Sequence, residues 1–176
     1  YRVEALEGAD VSGVDIALFA GTEGAKGASV LYAEKFIKQG AVVIDNGNDF
    51  RLKDGVPLIV PEVNKEKIKE HKGLIANPNC TTIQAVVALG GIYKRFGLEQ
   101  VLVSSFQAAS GAGKKAAQGL WEETKSLIDS NREADFDEVN KALSEKPAHF
   151  DSQIAFNVIP QIGGVGEGGY TSEERK

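Results

Sequence analysis

Cys80 is the residue in this chain best suited to covalent chemistry. It is the only cysteine among 176 residues, and it lies in the polar stretch NPNCTTIQ at residues 77–84. The start of a helix favours a thiolate, because the first N–H groups of the helix lack partners and its dipole is positive there. The stretch therefore predicts a nucleophile whose oxyanion product lies against backbone N–H groups. The alternative is a small apolar side chain packed beside a sheet, which would need no polar flanking residues.

The residues on either side of Cys80 predict a strand followed by a helix. Residues 73–76 are typical of a short buried strand, and residues 83–96 are apolar on nearly every side, as in a buried helix. Cys80 should therefore lie where the strand ends and the helix begins. Asn79 or Cys80 is the expected N-cap of this helix.

Upstream of this junction the pattern predicts a parallel α/β unit. Residues 14–20 and 41–45 are apolar runs typical of buried parallel strands, and residues 28–39 between them have the pattern of an amphipathic helix. Strand, helix and strand in this order form a parallel βαβ unit. Residues 58–64 predict a further strand, and residues 65–71 predict a charged helix.

The polar loops that follow the strands should share one edge of the sheet. Ligands of open parallel sheets bind beyond the carboxyl ends of the strands. The loops at Gly21, Asn46 and Asn79 all follow such ends. We therefore expect these three loops to face one crevice.

A second pattern begins after Gly97. Residues 100–107 alternate as in a half-exposed strand, residues 110–113 open an amphipathic helix, and residues 154–159 predict a final strand. We therefore expect a domain boundary near Gly97.

The stretch around Cys80 resembles the active-site signature of the aspartate-semialdehyde dehydrogenase family. Glyceraldehyde-3-phosphate dehydrogenases have a Ser-Cys-Thr-Thr-Asn version, and N-acetyl-glutamyl-phosphate reductases usually have Asn-Pro-Gly-Cys. Asn79 and Gln84 differ from both. The resemblance implies the C-terminal part of a Rossmann-like parallel sheet in residues 1–97, ending in the helix of the catalytic cysteine. It implies part of an α+β substrate-binding and dimerisation domain in residues 98–176.

The same resemblance implies an activity. The family interconverts L-aspartate 4-semialdehyde and L-4-aspartyl phosphate with inorganic phosphate and NADP(H), through a thioester that would form here on Cys80. The reaction serves lysine, threonine and methionine biosynthesis, in cytoplasmic homodimers or homotetramers. Two alternatives remain open: a sister acyl-phosphate reductase with another substrate, and a subunit piece without activity. The choice between NADP and NAD also stays open.

Phosphate and substrate contacts are implied by two further segments. DNGNDFR at residues 45–51 resembles the family's Asp-Asn-x-x-x-Phe-Arg, which implies Arg51 as a phosphate contact, with Asn79 as a second one. Glu173 and Lys176 resemble a pair that contacts substrate and phosphate, respectively. Without the resemblance, Arg51 would be taken for a solvated loop residue, and Glu173 with Lys176 for an ion pair on one helical face.

The segment QAASGAG resembles the family's Gln-x-x-Ser-Gly-Ala-Gly, which implies Gln107 as the active-site glutamine. Ser110 and Gly111 would then lie against the substrate or the nicotinamide. Gly21 and Thr22 belong to a glycine-containing loop that could approach the cofactor, although a glycine cluster after a strand is also an ordinary turn. No metal site is predicted.

Several expected parts are missing from the chain. The GxGxxG fingerprint of dinucleotide binding is absent, and both His71 and His149 lie in charged or surface stretches outside the family's Gly-His context. The chain contains no methionine and ends at Lys176 inside a charged stretch. We therefore expect it to be an internal part of a longer protein.

Composition excludes some classes of function. The net charge of −5 disfavours nucleic acid and membrane surfaces as partners. No apolar run reaches the roughly 18 residues of a membrane span. A single cysteine forms no internal disulfide, which fits a reducing cytoplasm.

Overall fold

The structure, a computed structural model, describes residues 3–21, 25–129 and 150–175. It divides into two compact units, Tyr1–Leu102 and Val103–Arg175. None of the described helices combines the length and the apolar character that crossing a membrane requires.

The first unit contains a three-stranded parallel sheet in the order β1-β2-β3. The strands are β1 (Ile16–Phe19), β2 (Val42–Asp45) and β3 (Leu74–Ala76), and helix α1 (Ala28–Lys38) connects β1 to β2. This is the predicted parallel βαβ unit, so the α/β expectation is confirmed.

One face of this sheet carries the core. Side chains of a strand alternate between the two faces, and Ala17, Phe19 and Val43 are buried on the face that packs against α1. The Phe19 ring meets the Phe36 ring of α1 edge to face, with centroids 5.5 Å apart. The core thus holds β1 and β2 in place and aligns their carboxyl ends.

The opposite face of β1 differs from the prediction. Ile16 and Leu18 are 60% and 75% exposed, although a continuous apolar run predicted a strand buried on both sides. Parallel strands are buried on both faces when helices cover both. In the described part of the chain, α1 covers the other face.

The strand predicted at residues 58–64 is wrong over most of its length. Leu58 alone pairs with β3, through an isolated parallel bridge to Ala76, and helix α2 (Pro61–Asn64) follows. Proline has no N–H to donate to a sheet, but its fixed φ suits the first turn of a helix. The charged helix predicted next is a 3-10 helix, Lys65–Glu70.

Helix α3 (Cys80–Phe96) begins where the sequence predicted, but none of its residues is buried. Tyr93 and Phe96 are 62% and 75% exposed. A helix that is apolar on every side needs neighbours on every side, and among the described elements α2 packs against α3. The predicted burial of this helix is therefore wrong for this chain.

The second unit begins its helical part with a 3-10 turn, Ala109–Ala112, followed by α4 (Lys114–Asp129). The helix predicted to open at residues 110–113 is thus confirmed. Residues 100–107 and 154–159 form no strands. A strand needs a neighbouring strand to receive its N–H groups, whereas the N–H groups of Ile154 and Ala155 donate to the Glu123 carboxylate of α4, at 3.0 and 2.6 Å.

Candidate active site

Cys80 is the first residue of α3, and its thiol is free and exposed. The side chain of Asn79 caps the helix: its Oδ1 accepts the N–H groups of Thr81 at 2.9 Å and Thr82 at 3.2 Å. Of the two expected caps, Asn79 is therefore the actual one. Cys80, next to this cap, is exposed and therefore accessible to a substrate.

Asn79 itself is buried, with 6% of its surface exposed. Since Oδ1 serves the cap and a phosphate oxygen needs a donor, a phosphate contact would have to come from its Nδ2 amide. The role of Asn79 in phosphate binding stays a prediction.

Of the three loops predicted to share the carboxyl edge of the sheet, those that follow β2 and β3 come together there. The N–H of Asn46, after β2, donates to the carbonyl of Phe19 at 2.8 Å, and the N–H of Asn77, after β3, donates to the carbonyl of Asp45 at 2.8 Å. The two loops also touch through side chains, because Nδ2 of Asn77 donates to Oδ1 of Asn46 at 2.6 Å.

Arg51 lies at this same edge. Its Nε donates to the carbonyl of Asn77 and its Nη2 to the carbonyl of Asn46, both at 2.9 Å. The guanidinium therefore joins the loop after β2 to the loop that carries Cys80, and it is not a free solvated residue. Its remaining N–H groups are the ones that a phosphate would use.

Sequence reasoning placed the loop of Asn46 at the expected crevice but assigned no role to the side chain of Asn46 or to Asn77. The signal that could have found Asn77 is the same one, because it is the first residue after a parallel strand, where ligand sites of such sheets lie. Asp45, the last residue of β2, is 1% exposed, and its Oδ2 has no hydrogen-bond partner in the part of the chain that the structure describes.

In the second unit, Gln107 and Gly111 are neighbours. A Cβ atom added to Gly111 would lie 2.3 Å from Nε2 of Gln107 and 2.7 Å from its Cδ. The side chain of Gln107 thus lies directly over the bare backbone of Gly111. The predicted glutamine and one predicted cofactor residue are therefore in contact.

Glu173 lies in a turn that is closed by a capping box. The N–H of Thr171 donates to Oε2 of Glu174 at 2.6 Å, and the N–H of Glu174 donates to Oγ1 of Thr171 at 3.2 Å. The backbone N–H of Thr171, and then its side chain, hold the pKa of the Glu174 carboxyl below its usual value. Arg175 donates to the carbonyl of Glu167, which ties the glycine-rich loop to this turn.

Three residues named by the sequence analysis, Thr22, His149 and Lys176, lie outside the described residues. The predicted pairing of Glu173 with Lys176 therefore stays a prediction. Since Cys80 belongs to the first unit and Gln107 and Glu173 to the second, each group is described within its own unit.

Models of two known protein domains match this chain. A model described as the dimerisation domain of semialdehyde dehydrogenase matches residues 89–176, which is half of the chain. A model described as the NAD binding domain of semialdehyde dehydrogenase matches residues 1–71. The chain belongs to the semialdehyde dehydrogenase family. Cys80 lies between the two segments that these semialdehyde dehydrogenase models match.

Individual relatives agree with this family. The aspartate-semialdehyde dehydrogenase of Bacillus subtilis is 46% identical over 166 residues, which cover 93% of this chain and 45% of the relative. The aspartate-semialdehyde dehydrogenase of Aquifex aeolicus is also 46% identical, over 100% of this chain and 48% of the relative. The chain spans about half the length of the curated relatives it matches.

A solved structure shares the fold. The crystal structure of aspartate semialdehyde dehydrogenase II from Vibrio cholerae, complexed with ASA, has a TM-score of 0.81 and 42% identity. The match covers 99% of this chain and 48% of that one. The expected family and the α/β fold class are therefore confirmed.

The described residues offer a partial fit to the nicotinamide cofactor of such domains. A groove of about 390 Å³ runs beside β1 and includes Ala20 and Gly21 at the end of that strand. Its walls are otherwise apolar and contain no cation. Such walls suit a flat ring, whereas a pyrophosphate needs cationic or N–H donors.

Proposed function

We propose that this protein acts as an aspartate-semialdehyde dehydrogenase that uses NADP(H) and inorganic phosphate, with Cys80 as the nucleophile. The observation that carries the proposal is the placement of an exposed thiol at the first residue of α3. The loop that precedes this residue is bound to the carboxyl edge of a parallel sheet. Relatives with 46% identity carry the name of this activity.

The proposed chemistry begins at Sγ of Cys80. The thiolate adds to the aldehyde carbon of aspartate 4-semialdehyde and forms a C–S bond. Loss of a hydride from that carbon leaves a thioester on Cys80, and attack by a phosphate oxygen releases the thiolate and forms 4-aspartyl phosphate. The covalent detour divides one difficult step into two easier ones. A nicotinamide cofactor, when bound, supplies the hydride acceptor.

Other residues have proposed supporting roles. Arg51 and the amide of Asn79 would hold the phosphate, with Lys176, because planar guanidinium and amide donors suit phosphate oxygens. Gln107 would orient the acyl group, and Glu173 would contact the substrate. Gly21, Thr22, Ser110 and Gly111 would lie against NADP; the backbone contacts of the glycines need no side chain.

We further propose that the region up to residue 97 serves the cofactor and that residues 98–176 serve substrate binding and dimerisation, in a homodimer or homotetramer. A cytoplasmic location fits a mechanism that needs Cys80 as a free thiol, since reducing compartments keep thiols reduced. The proposed pathway role is lysine, threonine and methionine biosynthesis.

The test is the reduction of NADP by the purified protein with aspartate 4-semialdehyde, with and without inorganic phosphate. We expect reduction that requires phosphate and that Cys80→Ser abolishes without loss of folding. If Cys80→Ser keeps activity within about tenfold of wild type, its activation barrier is raised by no more than about 1.4 kcal/mol. That result would contradict the nucleophile assignment.

The same assay tests the substrate and the cofactor. Faster reduction with N-acetyl-glutamate semialdehyde would replace the proposal with the sister acyl-phosphate reductase. Faster reduction of NAD would overturn the NADP preference alone. A folded protein that reduces neither cofactor with either substrate would overturn the proposed activity for this chain.

A further inference from the structure

Three hydrogen bonds from residues 45–51 hold Asn77. Its N–H donates to the carbonyl of Asp45 at 2.8 Å, and its carbonyl accepts Nε of Arg51 at 2.9 Å. Its side-chain Nδ2 donates to Oδ1 of Asn46 at 2.6 Å. We call the side-chain contact of Asn46 with Asn77 the asparagine pair.

Little freedom remains between Asn77 and Cys80. Pro78 is buried and its ring fixes φ. Asn79 is buried, and its side chain caps α3 through two hydrogen bonds. Both residues between Asn77 and Cys80 are therefore restrained, so a shift of Asn77 is passed on to the backbone of Cys80.

The asparagine pair lies where it can affect the turn before Cys80 without affecting the core. Asn46 is exposed and Asn77 half-buried, so the pair adds little to the core. The contact spans 31 residues of sequence and joins the loop after β2 directly to the turn of Cys80. Without it, Arg51 and one backbone hydrogen bond would still hold Asn77, but the side-chain link between the two loops would be lost.

We propose that Asn46 and Asn77 are positioning residues that orient Cys80 at the first turn of α3. The pair holds the turn that leads into α3, and with it the backbone from which the sulfur of Cys80 projects. The effect on Cys80 needs no bound substrate or cofactor. In turnover, a role that rests on the proposed function, the pair would raise kcat and leave KM for the cofactor unchanged.

The first measurement is the rate at which iodoacetamide alkylates Cys80 in the folded protein. Since Cys80 is already exposed, access does not limit this reaction. Asn46→Ala and Asn77→Ala should each slow it by about threefold to tenfold, equivalent to about 0.6–1.4 kcal/mol for one hydrogen bond. The double variant should be no slower than Asn77→Ala, because the two residues act through one contact.

Two variants of similar size separate the loss of the hydrogen bond from the effect of an added charge. Asn46→Asp keeps an oxygen that accepts from Nδ2 of Asn77, whereas Asn46→Leu is of similar size and removes the acceptor. At high ionic strength, where the exposed charge of the aspartate is screened, Asn46→Leu should react more slowly than Asn46→Asp by about threefold or more, the factor for one lost hydrogen bond. Asn48→Ala, in the same loop but outside the pair, should react like the wild type.

Equal alkylation rates for Asn46→Asp and Asn46→Leu would overturn the proposal. Loss of cooperative unfolding in either variant would also overturn it, because the pair would then be structural. The alkylation rate of Cys80 does not depend on catalytic turnover. An inactive protein whose alkylation follows the expected pattern therefore leaves this inference standing while contradicting the proposed function.

Discussion

Gly111 matters at the scale of single residues because of the atom that it lacks. The side chain of Gln107 occupies the space in which a Cβ of residue 111 would stand. Both residues are exposed, so their contact is held by local geometry and not by the core. Beside its proposed place against the cofactor, Gly111 can therefore also position the glutamine amide for the proposed reaction.

Gly111→Ala should displace Gln107 and lower kcat by between about tenfold and a hundredfold, since small misplacements of a catalytic group have costs of this order. The measurement is kcat and KM in the phosphate-dependent assay, for Gln107→Ala, Gly111→Ala and the double variant. If Gly111 acts through Gln107, the double variant is no slower than Gln107→Ala. A raised KM for the cofactor with additive effects would instead mean that Gly111 acts only through its proposed cofactor contact and does not position Gln107.

Cys80 and Arg51 differ in how much of their surroundings the sequence predicted. The place of Cys80 at a helix start follows from its nearest neighbours in sequence. Arg51 was expected to bind phosphate, and the structure shows that two of its N–H groups bind the carbonyls of Asn46 and Asn77. Phosphate binding and support of the Cys80 loop are compatible, because guanidinium has further N–H groups.

At the scale of elements, two glycines border the core with the same φ angle. Gly40 follows α1 and Gly73 precedes β3, and both have a φ of +92°. A Cβ at Gly40 would meet nothing within 4 Å, whereas a Cβ at Gly73 would lie 2.7 Å from Cγ2 of Ile37. The first substitution therefore introduces backbone strain alone, and the second adds a collision with α1.

Gly40→Ala should lower the free energy of unfolding by about 1–2 kcal/mol, the cost of a left-handed conformation for alanine. Gly73→Ala should lower it by a further 1–3 kcal/mol or so, because the collision overpacks the contact between α1 and β3. Urea denaturation of both variants measures the difference. Equal losses would mean that Ile37 moves aside without cost.

At the scale of the whole molecule, the described residues expose apolar side chains that the sequence pattern predicted to be buried. Ile16 and Leu18 of β1 are exposed, as are Tyr93 and Phe96 of α3. Contiguous exposed apolar surface marks places where proteins associate. The net charge of −5 opposes such association, but only weakly at physiological salt.

We therefore expect this chain to self-associate as its concentration rises, measured as an increasing sedimentation coefficient. Leu18→Lys and Phe96→Lys should each reduce the association, since each places a charge in an apolar face. Leu52→Lys is the matched control, because Leu52 is 84% exposed and lies in a loop outside both elements. A chain that stays monomeric throughout, or a control that changes association equally, would contradict the role of these faces.

The sequence by itself determined the features that depend on near neighbours. The βαβ unit, the start of α3 at Cys80 and the helix after the serine-glycine turn all follow from patterns a few residues long, because hydrophobic period and caps are local signals. The stretch around Cys80 was also enough to identify the family.

Only the tertiary structure decided the features that depend on partners distant in sequence. Residues 100–107 alternate as in a strand and residues 154–159 are an apolar run, but a strand exists only where another strand pairs with it. In the second segment, Glu123 accepts the N–H groups of Ile154 and Ala155 instead. The contact of Asn46 with Asn77 joins residues 31 positions apart. No local pattern encodes such a contact, because it arises from the alignment of β2 and β3 by the core.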